Sequence, residues 1–327
     1  MKKRALGKNG PKISPIGLGC MGMSEFYGKS DDAHSKRVIL DALENGITML
    51  GTADTFGLGH NEMLIAEALK EWNGNVFIAT KYGIVRKPGE YTRVISGRPE
   101  YVRQAAAASL KRLKKEVIDL YYIHRIDATV PIEETIGAMS DLVREGKVRY
   151  IGISEPSEDT VRKAHSVHPI TAVQTEYSLW TRHVEDKILP TLRELGIGFV
   201  SYSPLGRGFL TGKLDIATLE QNDFRRLMPR VQGENIVHNQ RLVETICDIA
   251  AKEGITPAQL ALSWVLSKGE EIVPIPGTRH LKYLYENIGA LEISLDDQVI
   301  ADLESVFSHQ AVKGERYPVA GMTGIEG

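Results

Sequence analysis

The sequence predicts a single (β/α)8 barrel of the α/β class spanning residues 1–327. Two patterns predict it: short apolar runs of β-type composition alternate with longer segments of helical period, and there are eight such units. A third is that polar side chains gather at the C-terminal ends of the runs, where a barrel places its chemistry.

The expected strands cover 16–18, 49–53, 76–81, 118–124, 148–154, 172–174, 198–203 and 272–275. Before them, 3–15 carries Gly7, Asn9 and Gly10, the turn residues of a small hairpin placed to plug the barrel floor. Asp31-Asp32 caps a first helix with Val38, Ile39, Ala42 and Leu43 on one face, stopping at Asn45-Gly46. Asn61-Glu62 opens a second, whose stripe is Leu64, Ile65, Ala68 and Leu69. Arg98-Pro99-Glu100 starts a third, because proline's missing N–H is harmless in a first turn. Further helices are expected over 131–145, 157–167, 184–195, 236–253 and 280–291, with an additional one from Ile255-Thr-Pro-Ala258. Two polar, glycine-bearing segments exceed a minimal barrel, 207–235 and 308–327. Both are expected as loops at the barrel mouth.

Hydrophobic content of 42% and charged content of 25% are those of a soluble globular protein. A net charge of −2 gives no reason to expect a nucleic-acid or anionic-membrane partner. No apolar run approaches the ~18 residues of a membrane span, and Met1-Lys-Lys-Arg4 has no apolar stretch behind it as a signal peptide would. Two cysteines fit a reducing cytoplasm. No His, Cys or carboxylate spacing suggests a metal site.

Gly17-Leu-Gly19-Cys-Met-Gly22 matches a dinucleotide-binding G-x-G-x-x-G, but the residues up to Ser30 separate it from the next helix signal. A first loop needing close backbone approach is the better reading. Other polar residues mark the strand ends: Lys81, His124, Ser154-Glu155, Gln174, Ser201-Tyr-Ser-Pro-Leu-Gly206 and Ile275-Pro-Gly-Thr-Arg279.

These motifs, with Gly51-Thr-Ala-Asp-Thr-Phe-Gly-Leu-Gly-His-Asn-Glu62 and Asp119-Leu-Tyr-Tyr-Ile-His124, resemble the aldo-keto reductases. The closest likeness is to auxin-induced-like and pyridoxal-reductase-like members with His-Arg-x-Asp after strand four. The resemblance implies an NADP(H)-dependent oxidoreductase that reduces small aldehydes or ketones by hydride transfer. It implies that Ser154 and Gln174 hold the carboxamide and that Tyr202 stacks on the nicotinamide. Ser203, Leu205 and Gly208 would line the pyrophosphate. Gly277, Thr278 and Arg279 would meet the 2′-phosphate, with Glu286 and Asn287 at the adenine. A phosphate also suits Arg279 physically, beside the N–H groups of a helix start.

The family's catalytic tetrad is Asp, Tyr, Lys and His. Lys81 and His124 occupy two of its positions, but Phe56 stands at the Tyr position and Gly51 at the Asp position. Phe56 has no proton to give, so carbonyl reduction is expected to be impaired, and an unpaired Lys81 in a dry site is expected to have a lowered pKa. Three readings stay open: an inactive variant of a reductase, a non-catalytic NADP(H)-binding pseudoenzyme acting as sensor or interaction protein, and altered chemistry. In the last, water, His124, Tyr27 or Tyr82 replaces the acid. Phe26, Tyr27, Phe56, Arg125 and Trp180 are candidate pocket walls. Arg125 either attracts an anionic substrate group or pairs with Asp127.

Overall fold

The computed structural model describes residues 1–87 and 94–326. Strands β1 (Arg4–Ala5) and β2 (Lys12–Ile13) form an antiparallel hairpin. The barrel strands are β3 (Leu18–Gly19), β4 (Met49–Gly51), β5 (Phe77–Tyr82), β8 (Ile118–Ile123), β9 (Val148–Ser154), β10 (Ala172–Glu176), β11 (Gly198–Tyr202) and β12 (Ile272–Pro274). They pair in parallel in that order. Gly17 N–H donates to the Pro274 carbonyl at 2.9 Å and Gly19 N–H to Pro276 at 3.2 Å, closing the ring between first and last strands. This is the expected (β/α)8 barrel.

Side chains alternate between the two faces of each strand. Ile78 and Leu50 therefore pack outward against the helices, while Met49, Ala79, Leu120, Tyr122, Ala172, Val200 and Val273 fill the interior. Leu6 and Ile13 of the hairpin complete this inner core from below. A side-chain carbon on Gly7 would sit 2.9 Å from the Gly198 amide nitrogen, so the hairpin presses directly on the barrel floor. The same alternation carries upward. Lys81, two residues beyond Ala79, and His124, two beyond Tyr122, reach the mouth from the inner face.

Helix α1 (Asp32–Glu44) is capped by Asp31, whose Oδ1 accepts from the His34 amide at 2.7 Å. α2 (His60–Ala68), α3 (Pro99–Leu113), α4 (Ile132–Arg144), α5 (Glu158–Val167) and α6 (Ile188–Leu195) follow their strands as expected. After β11 come 3-10 turns, then α7 (Gly233–Lys252) and α8 (Pro257–Ser267). The sequence suggests α8 as the additional helix, but the roles are reversed. Every α8 residue from Leu260 to Leu266 is buried, whereas α7 buries only Asn239, Val243, Ile246 and Ala250. α8 is the layer helix over the barrel, held at its start by the Thr256–Gln259 capping box.

α9 (Leu281–Gly289) follows β12. Two features are absent from the sequence reading. One is β6 (Ile84–Val85) paired antiparallel with β7 (Val94–Ile95) above β5. The other is α10 (Asp297–Val306), which buries Leu303. The C-terminal segment crosses the mouth. Ile126 N–H donates to the Gly324 carbonyl at 3.1 Å, and Glu326 N–H to Glu155 at 3.1 Å.

Candidate active site

A cleft of about 630 Å³ opens at the C-terminal end of the barrel. Its wall includes seven Lys or Arg side chains, and Glu286 is the one acidic residue among the described lining residues. Arg86, Arg207, Lys213 and Arg225 are paired with carboxylates, so Lys81, Arg125 and Arg279 carry the pocket's preference for an anionic ligand.

At its base, Lys81 Nζ donates to the Thr52 carbonyl at 2.7 Å and lies 5.5 Å from the Phe56 ring centroid. Phe56 and His124 meet edge to face, centroids 5.7 Å apart. Gly51 completes the group. A side-chain carbon there would lie 3.3 Å from Ile275 Cδ1, so Ile275 crowds the space that a larger residue needs.

The rest of the 51–62 segment is structural. Thr52 Oγ1 donates to Asn61 Oδ1 and Thr80 Oγ1 to Glu62 Oε1, both at 2.6 Å, and fully buried Glu62 also pairs with Arg112 at 2.6 Å. These contacts bind β4 and β5 to α2. They hold the register of the segment around Gly51 and Phe56.

Burial, and after it the charge of Arg125, lowers the Lys81 pKa to about 7. Asp54 is not an ionised partner for Lys81. Although the residue keeps some exposed surface, its Oδ1 is buried without a partner. Burial and the charge of Glu62 lift its pKa to about 8, leaving it mostly protonated at neutral pH. Lys81 thus has a folded-state pKa below its unfolded value. Between those values the unfolded chain binds more protons, so Lys81 makes stability rise with pH from about 7 towards 10. Urea denaturation at successive pH values should show this slope, reduced in Lys81→Met over the same window. Identical slopes would place the titration elsewhere.

Ser154 and Gln174 are register partners on adjacent strands. Ser154 Oγ and Gln174 Nε2 are both buried without hydrogen-bond partners. A ligand amide is the group such a pair can satisfy. Tyr202, half-buried, donates to Glu155 Oε1 at 2.6 Å and meets the Tyr317 hydroxyl at 3.1 Å. Glu155 also pairs with Arg316 at 2.9 Å.

Leu205 and Ser203 lead into a 3-10 turn (Gly206–Thr211) in which Gly206 and Gly208 take positive φ. A side chain at Gly206 would strike the Trp180 ring at 2.7 Å. Across the cleft, Gly277 passes Gly19 backbone to backbone: a carbon on either would meet backbone oxygen at 2.7–2.8 Å. Close approach therefore accounts for the glycine-rich first loop, and α1 does not start until Asp32. Arg279 donates to the carbonyls of Tyr27, at 2.8 Å, and Lys29. Thr278 Oγ1 accepts from the His280 amide at 3.0 Å. Glu286 lies 3.5 Å from Lys213, and Asn287 is buried beside it.

All the sequence-predicted site residues border this cleft except Trp180. That ring is stacked on Phe209, centroids 5.0 Å apart, behind the Gly206 turn. Its position after β10 suggested the mouth, but its apolar area is taken up by the neighbouring loop. Arg125 does not pair with Asp127. Asp127 accepts from the amides of Gly97 and Thr129 at 2.9 Å each, while Arg125 donates to the His124 carbonyl and borders the cleft. Tyr82 cannot serve as an acid there, because it points outward and stacks on Tyr121 at 4.6 Å. Tyr27 does face the cleft, but burial raises its pKa to about 12.

Sequence reasoning missed Arg86, which joins Glu25 to the Thr55 carbonyl at the rim, and the Glu155–Arg316–Tyr317 group. Groups of three or more metal-ligating side chains are absent among the described residues.

Comparison with known proteins places these features. The sequence model of the Aldo/keto reductase family matches residues 15–307. The chain is 48% identical over 314 residues to "Probable aldo-keto reductase 1" of Glycine max, covering 95% of this chain and 90% of that protein. The glycerol dehydrogenase AKR11B4 from Gluconobacter oxydans superposes with a TM-score of 0.86 at 26% identity, covering 95% of this chain and 98% of that one. The aldo-keto reductase AKR11C1 from Bacillus halodurans, in its holo form, gives 0.77 at 26% identity, covering 97% and 99%.

Proposed function

The chain belongs to the aldo-keto reductase family and is an oxidoreductase of that type; from that premise we propose that it binds NADP(H) in the barrel mouth and takes aldehydes or ketones, with carbonyl reduction impaired in this chain. The cofactor, when bound, supplies the hydride. The observation that carries the reading is the contrast inside one cleft. Polar groups suited to a cofactor line it, while the aromatic ring packed beside Lys81 and His124 is a phenylalanine.

Unpartnered Ser154 Oγ and Gln174 Nε2 suit the carboxamide. Tyr202 offers a flat face to the ring, and Ser203, Leu205 and Gly208 surround the path for the pyrophosphate. Arg279, with Gly277 and Thr278 before α9, suits a 2′-phosphate, with Glu286 and Asn287 at the adenine. His124 would orient the carbonyl oxygen. Phe56 packs against it and excludes water without offering a proton. Lys81, about half neutral near pH 7, has no phenol at position 56 to polarise. A substrate oxygen that gains electron density there lacks its normal acid, a loss of ~10²–10⁴-fold.

Titrating the chain with NADPH and NADH, and following nicotinamide fluorescence, tests the cofactor reading. Saturable NADPH binding tighter than NADH is expected. Absence of saturation with either dinucleotide would reject it, and with it the pseudoenzyme alternative, which needs the same cradle.

A further inference from the structure

Without a phenol to act on, Lys81 retains a reactive position. Its Nζ lies at the base of the cleft with the Thr52 carbonyl as its hydrogen-bond partner, between the Phe56 and Tyr122 rings at 5.5 and 6.0 Å. Among the described residues no carboxylate forms an ion pair with it. Beside it, Arg125 is 4% exposed, borders the cleft and keeps Nε without a partner. An amine in an apolar, desolvated pocket is the usual setting for a nucleophilic lysine.

We propose that Lys81 is a Schiff-base nucleophile for aldehydes entering the cleft, preferring those whose carboxylate or phosphate can pair with Arg125. The amine lone pair adds to the aldehyde carbon, and one N–H proton passes to the oxygen. The carbon–oxygen bond then breaks. The oxygen leaves as water with the second N–H proton, and a carbon–nitrogen double bond remains. No oxidant, reductant or cofactor enters this step.

The charged and titratable groups around Lys81 are consistent with it. Arg125 after β8 favours the neutral amine, while Cys20 after β3, Asp54 after β4 and Glu62 on α2 oppose this more weakly than burial favours it. The neutral form therefore increases through pH 7. Lys163 is exposed on α5, and an ordinary solvated lysine amine stays mostly protonated until the pH nears 10.

The test is to incubate the full chain, free of nicotinamide, with glyoxylate and cyanoborohydride near neutral pH and to map the modified lysines by mass spectrometry. The carboxymethyl adduct should form at Lys81 at least ~10-fold faster than at Lys163, and its yield should rise as the pH passes through neutrality. Arg125→Gln should lower the Lys81 yield with both aldehydes, because it removes a charge that favours the neutral amine, and by a larger factor with glyoxylate than with propionaldehyde. Equal effects on both aldehydes would remove the anion preference. Adducts confined to exposed lysines, or Lys81 labelled only after unfolding, would overturn the proposal. Because the unmodified chain carries the main readout, the result does not depend on any variant folding. Because cofactor is excluded, its failure leaves the NADP(H) reading untouched.

Discussion

Supplying the proposed proton donor and its carboxylate, Gly51→Asp together with Phe56→Tyr, should raise kcat/KM for NADPH-dependent aldehyde reduction at least ~10²-fold. Phe56→Tyr accounts for most of that gain, because the new phenol extends from a ring that already lies 5.5 Å from Lys81 Nζ and packs against His124. The phenol needs a cation beside it to release its proton readily, and Lys81 is half neutral near pH 7. The Asp supplies the missing counter-charge and should raise the Lys81 pKa. Its insertion is not free, since a carbon on Gly51 would press on Ile275 Cδ1 at 3.3 Å. Gly51→Asp alone should therefore lower thermal stability, and Ile275→Val should relieve it. Steady-state rates of the two single variants and the double variant across an aldehyde panel check this ordering. An unchanged rate in the double variant would mean that Phe56 does not occupy the proton-donor position.

Arg279→Gln should weaken NADPH binding by ~10–100-fold and leave NADH binding within a few-fold of the parent. That range corresponds to the ~1.5–3 kcal/mol of hydrogen bonds to a charged group. In the structure the Arg279 guanidinium holds the Tyr27 and Lys29 carbonyls, which ties the first loop to the last. A 2′-phosphate must share or displace those bonds, so limited proteolysis of the first loop should differ between the NADPH and NADH complexes. Parallel titrations of parent and variant with the two dinucleotides decide the point. Equal losses for both would make Arg279 a loop tie rather than a phosphate ligand.

Much of this was legible in the sequence, for identifiable reasons. The eight barrel strands are short apolar runs buried on both faces, and strand order follows chain order, so local pattern and topology agree. Lys81, His124, Ser154 and Gln174 were readable because strand ends fix where their side chains emerge. α10 carries an ordinary apolar stripe at Val299, Ile300, Leu303 and Val306, but it lies beyond the last strand and outside the βα alternation. The Glu155–Arg316 pair joins residues 161 positions apart, and no local signal reports such a contact. Trp180 was misplaced for the same reason: what covers it is the turn after another strand. The roles of α7 and α8 depend on which helix packs against β12, which periodicity does not encode.

The most direct measurement combines binding and turnover in one sample. The unmodified chain is mixed with NADPH and an excess of aldehyde in a stopped-flow instrument, and nicotinamide fluorescence and absorbance are followed together. A saturable fluorescence change with absorbance falling at least ~10²-fold more slowly than in the Gly51→Asp, Phe56→Tyr variant is expected. Oxidation by the unmodified chain as fast as by that variant, or no fluorescence change at all, would contradict an intact cofactor cradle above a site that has lost its proton donor.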